Sequence, residues 1–211
     1  MPTERSNGGE PSRQKRVGEA LRRETRLRIL EAAEHEFRVG GYAGTTVAQL
    51  AAAAGVSVQT LYLAWGNKRQ LLRGYMEHAL AGAAASPESA GEGFDGLTPR
   101  QRLLRLADLV AEVAERAALG WALYRDAAAV DAEIAADWDE LQHLRHRLFT
   151  RILTDLPADA LREGLTHSTA VDTAWAIASP DAYDLLVRRR GYNLEEFRNW
   201  MRNTLTSALL A

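Results

Sequence analysis

Residues 46–65 read TVAQLAAAAGVSVQTLYLAW. The first part, from Thr46 to Ala54, is an alanine-rich segment that opens with a Thr-x-x-Gln capping box, a pattern typical of a helix start. Gly55 can adopt the left-handed conformation of a tight turn, and Ser57 can cap the helix that follows. Two short helices separated by such a turn predict a helix-turn-helix, in which the small alanine side chains let the helices approach closely.

The second helix of this pair carries side chains that are suited to reading DNA. Leu61 and Trp65, four residues apart, are expected to face the core, which leaves the other face for a major groove. An amide on that face can pair with adenine, and apolar or hydroxyl side chains can contact base edges. The candidate groove-facing residues are Val58, Gln59, Thr60, Tyr62 and Leu63. The candidate phosphate-contacting residues, chosen for hydroxyl or ammonium donors, are Thr45, Thr46, Tyr62 and Lys68.

The order and spacing of residues from Thr25 to Leu72 resemble the DNA-binding region of TetR-type (tetracycline-repressor-like) transcriptional regulators. The matching residues include Ile29-Leu30-Glu31-Ala32-Ala33, Phe37, Gly41-Tyr42, Thr45-Thr46-Val47, Ala54-Gly55-Val56-Ser57, Thr60-Leu61-Tyr62, Lys68 and Leu71-Leu72. The resemblance implies an all-α homodimer that binds palindromic operator DNA as a repressor and is released by a small molecule. Leu63-Ala64-Trp65 departs from the family pattern, because it keeps an aromatic residue but lacks a polar groove contact.

The rest of the chain has helical periodicity, and no stretch alternates for long enough to predict a strand. The predicted helical segments are 17–39, 68–84, 99–119, 121–130, 132–155, 158–178, 180–190 and 194–210. Gly40-Gly41 and Gly120 are interpreted as helix stops, and residues 85–97 as a connecting loop. We therefore predict an all-α protein with three parts. These are a flexible basic arm (1–16), a helix-turn-helix DNA-binding domain (17–66) and a helical effector-binding and dimerisation domain (67–211) whose first helix (67–84) is the link.

The net charge of -2 conceals an asymmetry along the chain. Residues 1–80 carry 12 Lys and Arg against 8 Asp and Glu, whereas residues 81–211 carry 14 against 20. A basic front favours contact with an anion, and nucleic acid is the commonest one. The basic residues near the N-terminus are consistent both with phosphate or minor-groove contact and with a solvated tail. They are Arg13, Lys15, Arg16, Arg22 and Arg23.

Composition excludes several classes of function. The chain has no cysteine, which excludes disulfides, thiol catalysis and Cys-ligated metal sites. It shows neither a signal-peptide pattern nor a run of about 18 apolar residues, so a cytoplasmic protein without membrane contact is expected. The motifs of serine hydrolases, zinc metalloproteases and phosphate-binding loops are also missing. We predict no catalytic residues and no cofactor.

Large side chains with polar tips are concentrated in the second half of the chain, which holds four of the five tryptophans. A pocket for a small, largely apolar effector is expected to use such residues, although a plain core position is the commoner outcome for any one of them. The candidates are Trp121, Tyr124, Arg125, Trp138, His143, Phe149 and Trp175. Asp139, His143 and His146 share one helical face, as metal ligands would, but an exposed polar face gives the same spacing, and we predict no metal site.

The last predicted helix carries an apolar stripe that favours homodimerisation. The stripe consists of Leu194, Phe197, Met201, Leu205 and Ala208, with Trp200 beside it. A monomer of this size is not expected to bury this stripe together with the face around Val171 and Trp175. Two other functions stay open from the residues alone. One is a helical interaction module or a partner-sensing regulator without a small-molecule ligand, and the other is a small all-α enzyme.

Overall fold

The computed structural model describes residues 13–81 and 93–211. The described residues form α1 (Arg13–Gly44), α2 (Val47–Ala53), α3 (Val58–Trp65), α4 (Lys68–Leu80), α5 (Pro99–Ala128), α6 (Ala132–Leu153), α7 (His167–Ile177), α8 (Pro180–Tyr183) and α9 (Leu194–Leu209). A 3₁₀ turn occupies Ala158–Ala160, and a π-helical segment, Asp184–Arg189, continues α8. The predicted all-α fold class is confirmed.

Side-chain caps fix where most of these helices begin, as the sequence predicts. The side chains of Thr46 and Thr98 each accept a hydrogen bond from the backbone N–H three residues later. The side chains of Gln49 and Gln101 in turn accept from the backbone N–H of these threonines, which completes two capping boxes. Other caps accept a backbone N–H of the first turn of α3, α4, α8 and α9. These caps are Ser57, Asn67, Ser179 and Asn193.

The first helix begins earlier than predicted, at Arg13, so residues 13–16 are helical and do not belong to an arm. Its regular course is interrupted at Gly41, where φ is 66° and ψ is -179°, in agreement with the predicted stop. The rest of the predicted arm, 1–12, lies outside the described residues, and so do 82–84 of the predicted linking helix and 85–92 of the predicted loop.

The chain divides into two compact units, and the division falls between Gly74 and Tyr75, within α4. Unit 1 contains α1 to α3 and the first half of α4, and unit 2 contains the remainder. The helices of unit 1 share a small core of buried side chains. They are Ile29, Leu30, Ala33, Phe37, Leu50, Ala51, Leu61, Leu71 and Leu72.

The core of unit 2 is formed by α5, α6, α7 and α9. It includes Phe197, Met201 and Leu205, which are fully buried within the single chain. The expectation that a monomer would not bury this stripe together with the face around Val171 and Trp175 is therefore wrong. The long α5 and α7 cover the stripe, and in the same core Val171 is buried and Trp175 is partly buried. Leu194, Trp200 and Ala208 are only partly buried at the edge of this core.

Gly120 does not end a helix, and this prediction is wrong. The residue lies inside α5, which runs without a stop to Ala128, where segments 99–119 and 121–130 were expected. A Cβ at Gly120 would lie 2.6 Å from Met76 Sδ, so the glycine leaves room for the Met76 side chain at this helix crossing. Glycine in a helix interior costs about 1 kcal/mol relative to alanine, which the surrounding helix and this packing outweigh.

The predicted helix 158–178 is also wrong in its first half. Leu161 leaves the 3₁₀ turn in an extended conformation and pairs with Leu210, with Arg162 N donating to Leu209 O (2.9 Å). Gly164, at φ 84°, then turns the chain into α7, which Thr166 caps. The segment therefore holds the C-terminus by backbone pairing, which local hydrophobic periodicity does not predict.

Among residues 13–81 and 93–211, no single helix has both the length and the apolar character of a membrane span. α2 and α3 meet that test only as a pair, and they are bent by 99° at their junction.

Candidate nucleic-acid interface and effector region

The outer face of α3 carries large side chains that the core does not use. Leu61 is fully buried, whereas Val58, Tyr62 and Leu63 are exposed by 41%, 48% and 81%. Gln59 is exposed as well. Four of the five predicted groove-facing residues therefore lie on one accessible face of this helix.

Thr60, the fifth predicted groove-facing residue, takes part in the cap of α3. Its backbone N–H donates to Ser57 Oγ (3.0 Å), and the two hydroxyl oxygens lie 2.8 Å apart. Its side chain is half-buried, so it contributes less to the outer face than its neighbours do. The cap fixes the first turn of the helix and thereby the direction of the exposed face.

Thr45 does not present its hydroxyl to solvent. The residue is only 2% exposed, and Thr45 Oγ1 donates to Gly41 O (2.8 Å) and to Glu36 O (3.2 Å). Gly41 lies in the last turn of α1, where carbonyl groups lack helical partners. The predicted phosphate contact by this hydroxyl is therefore corrected to a structural role. Thr46, in contrast, is exposed at the start of α2.

Lys68 contacts the protein through its ammonium group. Nζ donates to Tyr42 O (2.9 Å) and to Thr45 O (3.0 Å), and it lies 4.2 Å from the centre of the Tyr42 ring. The side chain thus connects the start of α4 to the turn between α1 and α2. The sequence predicts a phosphate contact for this cation. The two carbonyl contacts give it a structural role in addition.

Trp65 fixes the end of α3 against two other helices of unit 1. The Arg26 guanidinium lies 4.0 Å from the centre of its ring, a cation–π contact that the sequence analysis did not anticipate. A Cβ at Gly74 would lie 2.0 Å from Trp65 Cζ3, so α4 passes the indole at a residue without a side chain. Trp65 Nε1 is buried and has no hydrogen-bond partner among the described residues.

Two of the predicted effector residues meet in unit 2. The rings of Trp121, on α5, and Trp138, on α6, form an edge-to-face pair with centres 5.6 Å apart. Tyr124, one turn after Trp121, is buried, and Trp138 is partly exposed. This part of the predicted set lies together at the crossing of α5 and α6.

Phe149 and Trp175 belong to a second group, centred on Arg145. The Arg145 guanidinium lies 5.6 Å from the Phe149 ring centre and 5.0 Å from that of Trp175. It donates to the carbonyls of Trp175 and Ala178 at the end of α7, and to Gln142 Oε1 (2.6 Å). Burial lowers the pKa of Arg145 to about 10. The cation completes a helix C-terminus, where partial negative charge compensates part of its desolvation.

The remaining predicted effector residues, Arg125 and His143, belong to neither aromatic group. His143 is exposed and its Nδ1 lies 2.7 Å from Asp139 O, one turn earlier on its own helix. Arg125 pairs with Asp181 (3.1 Å); burial acts to lower its pKa, but the hydrogen bonds to Asp181 and Asp126 raise it overall. The structure thus brings only part of the predicted set together.

His146 bonds across to α7 and does not join His143. Its Nε2 lies 2.8 Å from Asp172 Oδ1, and its ring packs edge-to-face on Trp175. Among the described residues, no group of three or more His, Asp or Glu side chains is arranged to hold a metal ion.

Comparison with known proteins finds a family match that falls almost entirely within unit 1. Residues 29–75 match the family described as bacterial regulatory proteins, tetR family. Over 154 residues the chain is 29% identical to the HTH-type transcriptional repressor KstR of Rhodococcus jostii (strain RHA1), an alignment that covers 72% of this chain and 70% of that protein.

Solved structures extend the likeness of fold to most of the chain. The native NalD repressor of Pseudomonas aeruginosa superposes with a TM-score of 0.69 at 20% identity, over 90% of this chain and 98% of its own. FadR of Bacillus subtilis, solved in complex with stearoyl-CoA, gives 0.64 at 19% identity, over 86% and 98%. At these identities the superpositions show a common fold.

Proposed function

We propose that this chain, whose residues 29–75 match the tetR family of bacterial regulatory proteins, is a transcriptional repressor that binds operator DNA and is released by a small molecule. The observation that carries the proposal is the outer face of α3. A capped, rigidly held helix there exposes Gln59, Tyr62 and Leu63, and no element among the described residues of unit 1 covers them. Such a helix fits a major groove.

The contacts around α3 support a role in positioning this helix. Ser57 caps its start, and Trp65 lies between Arg26 and Gly74 at its end. Both ends of α3 are thus fixed by residues that are not part of its outer face. A recognition surface requires this rigidity, because base contacts depend on placement to within about half an ångström.

A homodimer is part of the proposal, because a two-fold arrangement presents two recognition helices to a palindromic site. The stripe Phe197-Met201-Leu205 cannot form the interface, since unit 2 buries it internally. The partly buried edge of α9, with Leu194, Trp200 and Ala208, is the part of the predicted face that is left for a partner.

The effector is proposed to be largely apolar and to contact the aromatic group at the crossing of α5 and α6. This group consists of Trp121, Tyr124 and Trp138. FadR, a protein of the same fold, was solved with stearoyl-CoA, a ligand with a long apolar chain. Arg125 and His143 are left out of the proposed contact, because one is paired with Asp181 and the other is exposed.

α4 is the proposed route from the effector to the DNA. Gly120, beside Trp121, packs against Met76 of α4, and Gly74, two residues earlier on α4, packs against Trp65. A ligand that displaces α5 at Trp121 would therefore act on a segment of α4 close to the one that holds α3. A coupling of about 1–3 kcal/mol would weaken operator affinity about 5–150-fold.

The experiment that tests the proposal is selection of binding sites from a random duplex DNA library with the full chain. The enriched duplex is then measured by gel shift. We expect a palindromic sequence to be enriched, with two protomers on each duplex. Failure to enrich any sequence at moderate salt would contradict the proposal and favour a helical interaction module.

The effector part has its own test. Tryptophan fluorescence is titrated with compounds that carry a long apolar chain, such as fatty acids and long-chain acyl-CoA thioesters, and each compound that binds is then added to the gel shift. Trp138→Phe is expected to weaken binding of such a compound. Trp175→Phe is the matched control, because it makes the same change in the second aromatic group, on α7, which is not part of the proposed effector contact. Compounds that bind but leave operator affinity unchanged would contradict the switch.

A further inference from the structure

The exposed face of α3 is mainly apolar, which is unusual for a small helix at a protein surface. At 100° per residue, Val58 and Tyr62 lie one turn apart, and Gln59 and Leu63 form a second row beside them. Leu63 is 81% exposed and therefore contributes almost nothing to the core of unit 1. The surface thus consists of two aliphatic side chains, Val58 and Leu63, and the Tyr62 ring around a single amide.

The same face lacks the groups that recognise guanine. Arginine and lysine are the side chains that bind guanine O6 and N7 bidentately, and α3, with the sequence VQTLYLAW, has neither. The Thr60 and Ser57 hydroxyls lie 2.8 Å apart, and Ser57 also accepts from the Thr60 N–H. Polar contacts of α3 with DNA are therefore left to the Gln59 amide and the Tyr62 hydroxyl, and of these the amide is the group that pairs bidentately with a base.

We infer that α3 reads its operator chiefly through thymine 5-methyl groups, with Val58, Tyr62 and Leu63 as the specificity-determining residues. The methyl group is the one apolar feature of the major groove, and it marks thymine alone among the four bases. Gln59 supplies the complementary contact, an amide that pairs with adenine N6 and N7. The inference rests on the proposed function, and it specifies A·T pairs at the positions under α3.

Deoxyuridine substitution tests the inference directly, because it removes the thymine methyl and keeps the Watson–Crick pair. The probe is the duplex enriched by selection, with the thymines of each half-site replaced one at a time. Binding is measured by fluorescence anisotropy at constant salt. We expect binding to weaken about fourfold for each contacted methyl, the factor that corresponds to burying one CH₂-sized group.

A double-mutant cycle assigns the methyl to a side chain. In the Leu63→Ala variant, the penalty for deoxyuridine is expected to disappear at one position in each half-site and to persist at the others. Leu185→Ala is the matched control, since Leu185 is an exposed leucine (54%) in unit 2, and this variant should keep every penalty. Because both leucines are exposed, neither change should prevent folding.

Two results would overturn the inference while the proposed function stands. One is a selected duplex that binds equally well with thymine and with deoxyuridine at all half-site positions. The other is a deoxyuridine penalty that alanine at positions 58, 62 and 63 leaves unchanged. If selection enriches no duplex at all, the proposed function itself fails, and that outcome is distinguishable from both.

Discussion

Both units place a cation over aromatic rings, but they do so at different depths. In unit 1, Arg26 lies over Trp65 and Lys68 over Tyr42, and these contacts hold the ends of short helices. In unit 2, Arg145 lies beside Trp175 where burial lowers its pKa to about 10. In unit 1, some large side chains fix the ends of helices and others form an exposed surface. In unit 2, most of the large side chains belong to the core.

The largest expected difference between the units is the cost of removing an apolar side chain. Phe197→Ala should lower the free energy of unfolding by about 3–5 kcal/mol, because the ring is fully buried in unit 2. Leu63→Ala should change it by no more than about 0.5 kcal/mol. Urea denaturation followed by circular dichroism measures both. A small loss for Phe197→Ala, accompanied by dissociation of a dimer, would mean that the stripe on α9 is an interface after all.

Replacement of Lys68 tests whether its ammonium group has a structural role, contacts DNA phosphate, or does both. Lys68→Met should destabilise unit 1 by about 1.5–3 kcal/mol, because two carbonyls lose a charged donor. Stability is measured by urea denaturation, and operator affinity is measured at several salt concentrations. A purely structural role leaves the salt slope unchanged, whereas a phosphate contact reduces it by about one. Unchanged stability together with a reduced slope would contradict the structural assignment.

The crossing of α4 and Trp65 has little room. Gly74→Ala should cost about 1–3 kcal/mol, because the new Cβ would meet the indole at 2.0 Å unless the ring moves. Gly44→Ala is the matched control, since a Cβ there meets no atom within 4 Å. Thermal unfolding and tryptophan emission of the two variants check the expectation. Equal stability of both variants would show that Trp65 is free to move away.

Arg145 provides the smallest expected effect. Arg145→Lys keeps the charge but loses the planar fork that reaches Gln142 and the carbonyls at the end of α7. We expect a loss of about 1–2 kcal/mol in unfolding free energy and no change in DNA affinity. His143→Lys is an exposed control on the same helix. A change in operator affinity without a change in stability would indicate that Arg145 takes part in effector response instead.

The sequence predicts the elements of unit 1 well, because local signals determine them. Thr46, Ser57 and Asn67 each have a cap partner three residues away, and Gly55 has the positive φ, 63°, that the turn requires. The burial of Thr45 was not predictable in the same way. Its hydroxyl bonds to Gly41 O and Glu36 O, and the second of these lies nine residues away.

In unit 2 the secondary structure depends on contacts between residues that are distant in sequence. Local patterns therefore predicted parts of it wrongly. Gly120 lies inside α5 and does not end it, and its lack of a side chain makes room for Met76, 44 positions earlier. Leu161 is extended because it pairs with Leu210 at the other end of the unit. Phe94, in the predicted loop, is buried in the core. The aromatic residues of α5 to α7 divide into two groups for the same reason, since only tertiary packing decides which rings meet.

The central claim is that the outer face of α3 binds operator DNA. The most direct measurement is the affinity of a variant with Gln59→Ala, Tyr62→Ala and Leu63→Ala for the selected duplex, beside the parent chain and Leu185→Ala. All three replaced side chains are exposed, so far-UV circular dichroism should be unchanged. We expect the variant to fall to non-specific binding, a loss of about a thousandfold or more, while the control binds as the parent does. A variant that binds the selected duplex as tightly as the parent would contradict the central claim.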